Sequence, residues 1–418
     1  MPVYADIKLK LWQLAHVHHY LPEIRHWLWR GRMAVSLWRG GRQGKIPVLF
    51  YLSVWGHSQF LAPVLRELRK RNPRLDYYLA VDQPGPSTPD MGSLGIPRCR
   101  IRPLRDYLPI QGFRMFVTPG QTIRHEPAWP LRVCLFHGQP SKGVNLQDET
   151  IRKFNVLFLW GPLQKDLYRE FAARYPATAS GLRTFDVGCP KLDALIRGEY
   201  GREDVLARIG LDPARKTVLF APSFGKGTSL DVHGEAVFEV LAGLADQGIN
   251  VAVKLHPVMY DPTVRQVHFG GKNWPEILAG YVRKPHFRDV GNVDMTPFLA
   301  ASDVMVTDVS SAALDFMLLD RPVVYIDCPE FMAQIGQKGP YHTFVENPGQ
   351  DLRAADVGRS AGLVVPDLKT MAAAIWRSLE HPEEFSEARR KIAAGLLFNP
   401  GRATEVATQT ILDLLGGA

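Results

Sequence analysis

Short apolar runs alternate with longer amphipathic stretches from residue 46 onwards. The apolar runs are rich in Val, Ile, Leu and Phe, which is typical of strands buried in a parallel sheet, and the stretches between them predict helices on both faces of that sheet. The strands predicted in the first half are residues 46–53, 77–81, 115–118, 132–136, 155–160 and 184–187. Those predicted in the second half are residues 217–221, 250–254, 287–289, 304–307, 322–326 and 363–365.

Helices are predicted over residues 60–70, 163–174, 232–247, 295–301, 311–319, 368–380 and 404–415. Because both halves repeat the order strand then helix, we expect an α/β fold of two doubly wound, Rossmann-like domains. A cleft then faces the carboxyl ends of their strands. The expected boundaries are residues 46–190 for an N-terminal, acceptor-side domain, 191–398 for a C-terminal, donor-binding domain, and 399–418 for a closing helix. That last helix fits either domain.

Residues 1–45 differ in composition from the rest of the chain. They contain four of its nine tryptophans, together with many Lys, Arg and Leu residues, and Pro22 divides them into two short helical candidates. Tryptophan and leucine beside basic residues are typical of an amphipathic helix that lies among lipid headgroups. The alternative is a basic arm packed on the first domain or on a partner subunit. The membrane interpretation implies an acceptor that is lipid-linked or held near a membrane.

Composition narrows the class of protein. A chain of 418 residues with 46% hydrophobic and 22% charged residues has room for two or three folded domains. The net charge of +8 favours an anionic partner, which nucleic acid, anionic lipid or a phosphorylated substrate would satisfy. The four cysteines form no CxxC pair, which argues against a zinc site or disulfide framework. With no apolar run near the roughly 18 residues of a membrane span and no signal-peptide core, a cytoplasmic location is expected.

The strongest chemical signal lies after the predicted strand at residues 304–307. The strand runs into Thr307 and Asp308, and Ser310 and Ser311 then begin a helix. A serine at a helix start bonds the free amides of the first turn, and the same place offers hydroxyls, N–H groups and the positive dipole end to a phosphate. An ordinary capped helix is the alternative. We expect Asp308 and Asp315 to orient the loop rather than act as bases.

Two further strand ends carry histidines. Lys254 and His256 project to the same side of a strand end, where they can hold an anionic oxygen, unless His256 is a buried structural residue. His137 follows another strand and precedes a Gly/Pro loop, so it either faces the cleft as a general base or lies on the surface. Gly56 and His57 are a weaker case, contacting the acceptor or simply forming a turn.

These segments together resemble the CDP-glycerol glycerophosphotransferase family, whose members make and prime teichoic-acid-type polymers. The matching segments follow the family's order: Phe-His-Gly-Gln-Pro at 136–140, Ala-Pro-Ser at 221–223, Lys-Leu-His-Pro at 254–257, Thr-Asp-Val-Ser-Ser at 307–311, Arg-Pro-Val-Val-Tyr at 321–325 and Pro-Gly-Arg at 400–402. The resemblance extends from about residue 134 to 415. Phe136 and Val309 replace the family's usual tryptophan and tyrosine, and Lys226 stands where an arginine is usual.

The resemblance implies a GT-B fold, peripheral membrane attachment, and transfer of a polyol phosphate from a CDP-linked donor to a hydroxyl of a lipid-linked or glycan acceptor. It implies that His137 removes the acceptor's proton, that the hydroxyl attacks the donor's β-phosphorus, and that CMP leaves. The residues expected at the site are His137 and His256 as catalytic groups, Lys254, Thr307, Asp308, Ser310, Ser311 and Arg402 on the donor phosphates, Ser223, Lys226 and Asp315 elsewhere on the donor side, and Gly56, His57 and Gly138 on the acceptor side. Arg402 begins the last helix, where solvent exposure is the alternative. No metal or other cofactor is expected.

Two other functions fit the same sequence. A GT-B glycosyltransferase would use a nucleotide sugar, with attack on the anomeric carbon and release of a nucleoside diphosphate. A non-catalytic protein would bind lipid or nucleotide only. We favour the transferase on the inner face of the cell membrane, with no nucleic acid partner; the donor group, the acceptor and the oligomeric state are left open by the sequence.

Overall fold

Two parallel β-sheets organise the computed structural model, which describes residues 25–53, 55–82, 94–120, 123, 131–139, 146, 148–264, 266, 269–335 and 357–416. The strands of the first sheet are β1 (Ile46–Leu52), β2 (Leu75–Val81), β3 (Ile101–Arg102), β4 (Met115–Thr118), β5 (Arg132–Cys134), β6 (Val156–Leu159) and β7 (Arg183–Asp186). Those of the second are β8 (Thr217–Phe220), β9 (Asn250–Val253), β10 (Phe287–Asp289), β11 (Val304–Thr307), β12 (Val323–Ile326) and β13 (Leu363–Val365).

The two sheets share one strand order over six strands, and the first sheet has a seventh strand, β7, at its edge. The first has the order β3-β2-β1-β4-β5-β6-β7 and the second β10-β9-β8-β11-β12-β13, with parallel pairing between the strands. In each, the chain winds outwards from a central strand and then crosses back to wind the other way. This reversal creates a crevice beyond the carboxyl ends of β1 and β4 and another beyond β8 and β11, where ligands bind in such sheets. The prediction of a doubly wound α/β fold is confirmed.

Helices pack on both faces of each sheet. In the first half they are α1 (residues 25–42), α2 (Ser58–Arg71), α3 (Leu104–Tyr107), α4 (Asp148–Ile151), α5 (Pro162–Arg174), α6 (Pro176–Ala179), α7 (Asp193–Ile196) and α8 (Arg202–Arg208). In the second half they are α9 (Ser229–His233), α10 (Ala236–Asp246), α11 (Trp274–Tyr281), α12 (Thr296–Ala301), α13 (Ser311–Met317), α14 (Pro329–Ile335), α15 (Leu368–Glu380), α16 (Ser386–Ala393) and α17 (Ala403–Gly416).

The alternation of side chains along β1 shows why both faces need cover. Leu49 and Tyr51 enter one core and Phe50 and Leu52 the other, and all four are fully buried. Apolar residues that point both ways must be shielded by helices on both sides. The core that contains Leu49 continues into the second sheet through residues such as Met305, so one apolar layer joins the two halves.

One predicted helix differs from the structure. The stretch 232–247 is divided into α9 and α10 by Gly234, whose φ of 61° lies in a region that glycine enters at little cost. This break lets α9 begin three residues earlier, at Ser229, close to the second crevice.

The closing helix α17 packs on the first sheet although it follows the second. Ala407, Ile411 and Leu414 belong to the same core as Phe50 of β1. The carboxylate of Asp193 accepts hydrogen bonds from the backbone N–H groups of residues 403 and 404, at 2.9 and 2.7 Å, and so caps the helix. The chain therefore crosses between the halves twice. The division at residues 45, 190 and 398 remains a proposal.

Helix α1 is packed by one face and exposed on the other. Met33 and Leu37 are each 6% exposed and enter the core, and Trp29 Nε1 donates to the carbonyl of Cys99 at 3.0 Å. Trp27 and Trp38 point away and are 71% and 57% exposed. The alternative of an arm packed on the first domain thus describes only one face of this helix. Pro22 and the rest of residues 1–24 lie outside the described residues. None of the described helices is long and apolar enough to cross a membrane.

Candidate active site

A stacked pair of histidines lies at the carboxyl edge of the first sheet. The imidazole rings of His57 and His137 have centroids 4.2 Å apart and planes inclined by 26°. His57 follows β1, and Ser53 Oγ lies 3.4 Å from its Nδ1. His137 follows β5, where Phe136 adopts a φ of 61°, a strained conformation for a bulky residue that turns the chain sharply. The first crevice thus brings together two histidines that the sequence placed 80 residues apart.

The hydrogen bonding of His137 defines its tautomer. Its Nδ1 lies 3.0 Å from the carbonyl oxygen of Pro119, which can only accept, so Nδ1 carries the proton and Nε2 keeps its lone pair. Burial lowers the pKa of His137, and the bond to Pro119 opposes that shift. A neutral imidazole with an unprotonated Nε2 is the form that a general base requires near pH 7.

His57 is held neutral even more firmly. Burial lowers its pKa well below the usual value, and the electrostatic influence of His137 and then His256 lowers it further. His256 follows β9 of the second sheet, so this influence comes from the other half of the molecule.

Phe60 supports the histidine pair from the first turn of α2. Its ring meets His57 and His137 edge-on, at centroid distances of 6.5 and 6.4 Å, and Trp160 stacks on it at 5.9 Å. The ammonium of Lys191 lies 4.9 Å from the centroid of Phe60. We did not predict Phe60 or Lys191 from the sequence, because one is an ordinary helix-face residue and the other lies in the connection between the sheets.

The end of β9 supplies two polar groups to the second crevice. Lys254 is buried and its Nζ donates to the carbonyl of Leu255 at 3.0 Å; burial lowers its pKa to about 8, although Asp289 acts in the opposite sense. His256 Nδ1 accepts from the backbone N–H of Val258 at 3.2 Å, so the neutral ring carries its proton on Nε2. His256 therefore presents a donor, whereas His137 presents an acceptor.

Asp308 joins the loops at the second crevice. Its Oδ1 accepts from the backbone N–H groups of Ser223 and Val309, both at 2.7 Å. Its Oδ2 accepts from Ser229 twice, from the N–H at 3.1 Å and from the hydroxyl at 2.8 Å. This carboxylate, 1% exposed, orients the loop as expected from the sequence.

Two other residues expected on the donor side, Thr307 and Ser223, are turned inwards. The hydroxyl of Thr307 is fully buried and donates to the carbonyl of Ala221 at 2.6 Å, and that of Ser223 donates to the carbonyl of Val309. Direct phosphate contact by Thr307 or Asp308 does not fit this arrangement, because their polar atoms are engaged in internal hydrogen bonds. All three residues instead hold the strand ends on either side of the crevice together.

The helix start at Ser310 has the expected capping geometry. Ser310 Oγ accepts from the backbone N–H of residue 312 at 3.3 Å, and both Ser310 and Ser311 are half-buried. A methyl group placed on Gly138 would lie 3.7 Å from Ser311 Oγ, so the loop after His137 faces this helix start directly. Further along α13, Asp315 Oδ1 is enclosed and has no hydrogen-bond partner within the described ranges, and burial raises the pKa of Asp315 to about 6.

The remaining expected residues lie nearer the surface. Gly56 and Lys226 are exposed. Arg402 is 71% exposed and pairs with Glu405 at 3.1 Å. Arg402 and, more weakly, Arg71 lower the pKa of Glu405. Arg71 lies in the last turn of α2, whereas His57 precedes the first turn of that helix. The expectation that Arg402 binds a donor phosphate does not fit this position. Pro140 and the loop after it lie outside the described residues.

Two doubly wound sheets with polar groups converging from both crevices define a GT-B-like fold, and known proteins agree. The chain superposes on the wall teichoic acid polymerase TagF with a TM-score of 0.60 and 14% identity, covering 97% of each chain. It also superposes on UDP-GlcNAc 2-epimerase from Neisseria meningitidis bound to UDP-GlcNAc, with a TM-score of 0.51 and 13% identity, covering 88% of this chain and 100% of that one. Identities this low establish the fold alone. The GT-B-like prediction is confirmed.

Part of the sequence is similar to a known family. The family model described as CDP-Glycerol:Poly(glycerophosphate) glycerophosphotransferase matches residues 168–353. A teichoic acid glycerol-phosphate primase of Bacillus spizizenii is 28% identical over 198 residues, which are 44% of this chain and 45% of the primase. Residues 168–353 are thus similar to this glycerophosphotransferase family, as the motifs predicted. The match spans about half the length of that curated relative.

Proposed function

We propose that this protein transfers glycerol phosphate from CDP-glycerol to a hydroxyl group during synthesis of a teichoic-acid-type cell-wall polymer, with release of CMP. The family match and the similarity to the primase support this reaction, and one of the superposable structures is that of the H444N variant of TagF soaked with CDPG. The observation that carries the proposal is the position of His137. Its loop faces the serine-capped start of α13 across the cleft, with Gly138 and Ser311 in near contact.

Each group has a role in the proposed reaction. His137 Nε2 takes the proton of the acceptor hydroxyl, whose oxygen then bonds to the β-phosphorus of the donor. The bond between that phosphorus and the bridging oxygen breaks, and CMP leaves with the electron pair. The Nε2–H of His256 and the ammonium of Lys254 donate to phosphate oxygens as charge develops on them, aided by Ser310 and Ser311 at the helix start.

The decisive variant is His137→Asn, which keeps a donor towards Pro119 but removes the base. We expect CMP release in the presence of acceptor to fall by roughly 10²- to 10⁴-fold, the usual contribution of general base catalysis. Binding of CDP-glycerol should stay within about threefold of the wild type, because the donor's contacts come mainly from the other sheet. His381→Asn is the matched control, since His381 is 61% exposed and pairs with Glu383 on the outside.

The donor is tested by supplying CDP-glycerol, CDP-ribitol and common nucleotide sugars in parallel and identifying the nucleotide released. CMP from CDP-glycerol supports the proposal. UDP or another nucleoside diphosphate, released only from sugar donors, would support the glycosyltransferase instead. Full CMP release by His137→Asn would exclude His137 as the base.

We further propose that the outer face of α1 binds an anionic membrane surface and so holds the enzyme on the inner face of the cell membrane. Trp27, Leu28, Val35 and Trp38 are 71%, 57%, 47% and 57% exposed, and Arg42 lies 4.2 Å from the ring of Trp38. Exposed tryptophans beside arginines are the groups that settle at the headgroup level of a bilayer.

Sedimentation with vesicles containing phosphatidylglycerol tests this membrane proposal. The double substitution of Trp27 and Trp38 by serine should lower binding by at least tenfold, while Val232→Ser, which removes a 52% exposed apolar residue elsewhere, should leave it unchanged. These variants are preferable to deletion of residues 1–45, which would also remove Met33 and Leu37 from the core. Equal sedimentation of the double variant and the wild type would overturn the proposal.

A further inference from the structure

Lys191 is a buried lysine between the two sheets. It lies in the short 3₁₀ turn Pro190–Leu192 of the connection between the sheets, and its side chain is only 6% exposed. Lysines are almost never buried to this extent unless their charge is paired. Its ammonium lies 4.9 Å from the centroid of Phe60, beneath the histidine pair, and 3.9 Å from Asp294 Oδ1 of the second half. The side chain therefore contacts both halves of the molecule.

The contact with Asp294 does not satisfy the ammonium. A separation of 3.9 Å is too long for a hydrogen bond. The same oxygen, Oδ1, already accepts from the N–H and the hydroxyl of Thr296, at 3.0 and 2.8 Å. Within the described part of the chain, Lys191 Nζ makes no hydrogen bond. The nitrogen is nevertheless not fully enclosed by protein atoms. The ammonium therefore keeps contact with solvent and has N–H donors left for a ligand.

The charges around Lys191 suit an anion with several oxygens. Lys254 lies close enough for the two ammonium groups to repel, which contributes to the lowered pKa of Lys254. Asp294 and Asp315 supply negative charge nearby, but Asp315 Oδ1 has no hydrogen-bond partner among the described residues. Two ammonium groups that repel each other are stabilised by an anion bound beside them, and phosphate oxygens form strong charge-assisted hydrogen bonds with such groups.

We propose that Lys191 is a donor-binding residue that contacts the diphosphate of the nucleotide donor together with Lys254. The inference rests on the proposed function in taking a nucleoside diphosphate derivative as the donor. Because Lys191 also packs on Phe60, a diphosphate bound by it lies beside His137, as attack on the β-phosphorus requires. Asp294, whose Oδ1 lies 3.9 Å from the ammonium, helps to position it.

Binding measurements on Lys191→Met test the proposal, with CDP-glycerol, inorganic pyrophosphate and cytidine as separate probes. Methionine keeps the length and apolar packing of the side chain but removes the charge. We expect the affinity for CDP-glycerol and for pyrophosphate to fall roughly 10- to 100-fold, the effect of losing a hydrogen bond to a charged group. The affinity for cytidine, which has no phosphate, should not change. Lys191→Arg should recover part of the loss.

Lys216→Met is the matched control. Lys216 precedes the amino end of β8, whereas the crevice lies beyond the carboxyl ends of the strands, and its side chain is 59% exposed. Unchanged binding of CDP-glycerol or pyrophosphate by Lys191→Met would overturn the inference, as would an equal loss for cytidine, which indicates a purely structural role. Failure of the wild type to bind CDP-glycerol counts against the proposed function. Pyrophosphate still tests Lys191 in that case, and equal binding by variant and wild type rejects it.

Discussion

Replacement of the Asp308 carboxylate by an amide should separate its structural role from catalysis. Asp308→Asn keeps the shape of the side chain but exchanges Oδ2 for an NH₂ group. The Oδ1 contacts with the N–H groups of Ser223 and Val309 can persist, although they lose the negative charge that strengthens them. At the other oxygen, the amide NH₂ would face the N–H of Ser229, a donor against a donor.

The loss of unfolding free energy in Asp308→Asn can be worked out from these four hydrogen bonds. A buried donor left unsatisfied costs about 1–3 kcal/mol, and a hydrogen bond to a charged group contributes about 1.5–3 kcal/mol. The hydroxyl of Ser229 can rotate and accept, so we count one lost N–H bond and the weakening of the others. The expected loss of unfolding free energy is about 3 kcal/mol, which corresponds to a midpoint lowered by roughly 6–12 °C for a domain of this size.

Thermal unfolding followed by circular dichroism measures this loss, with Asp231→Asn as the control. Asp231 is exposed and accepts a single hydrogen bond, from the N–H of Gly227 at 2.8 Å, so its substitution should cost less than about 0.5 kcal/mol. If the two variants unfold at the same temperature, the view of Asp308 as the residue that joins the strand ends is incorrect.

Two other outcomes follow from the structure. Gly188→Ala should lower the melting temperature by more than Gly198→Ala does. Both glycines have a positive φ, of 96° and 69°, but a Cβ on Gly188 would lie 2.2 Å from the carbonyl oxygen of Phe398, whereas Gly198 has open space around it. Equal melting temperatures of the two variants would refute this. The affinity for CDP-glycerol should fall as the pH rises through about 8, since the lowered pKa of Lys254 means that its ammonium is present below that pH and lost above it. Lys254→Arg, which stays protonated, should bind with little change up to about pH 9, and a decline identical to the wild type would contradict the assignment.

The sequence predicted most of the sheet because buried parallel strands leave a local signal. Strands β4, β10, β11 and β13 occupy the predicted residues, and most others differ by one or two positions. Strand β3 was missed because two residues, Ile101 and Arg102, are too short to show any periodicity. The break at Gly234 was overlooked because a glycine inside an apolar helical pattern is often tolerated there.

The site was predictable where its residues follow strands, and only there. His137, Lys254 and Ser310 each lie just after a strand, so topology alone brings them to the cleft. Lys191 reaches the cleft through the connection between the sheets, which has no recognisable pattern. Arg402 shows the converse: the turn before α17 resembles the family motif, but the arginine is exposed at the start of a helix that packs on the first sheet.

The packing of α17 on the first sheet has a consequence for biosynthesis. A ribosome releases β1 to β7 long before it makes Ile411 and Leu414, because the whole second sheet lies between them in the chain. At usual rates of translation, roughly 5–20 residues per second, the delay is on the order of ten to forty-five seconds. During that time one face of the nascent first sheet lacks its last covering helix and exposes apolar surface that chaperones recognise. The N-terminal half therefore completes its core only after the C-terminal half has emerged.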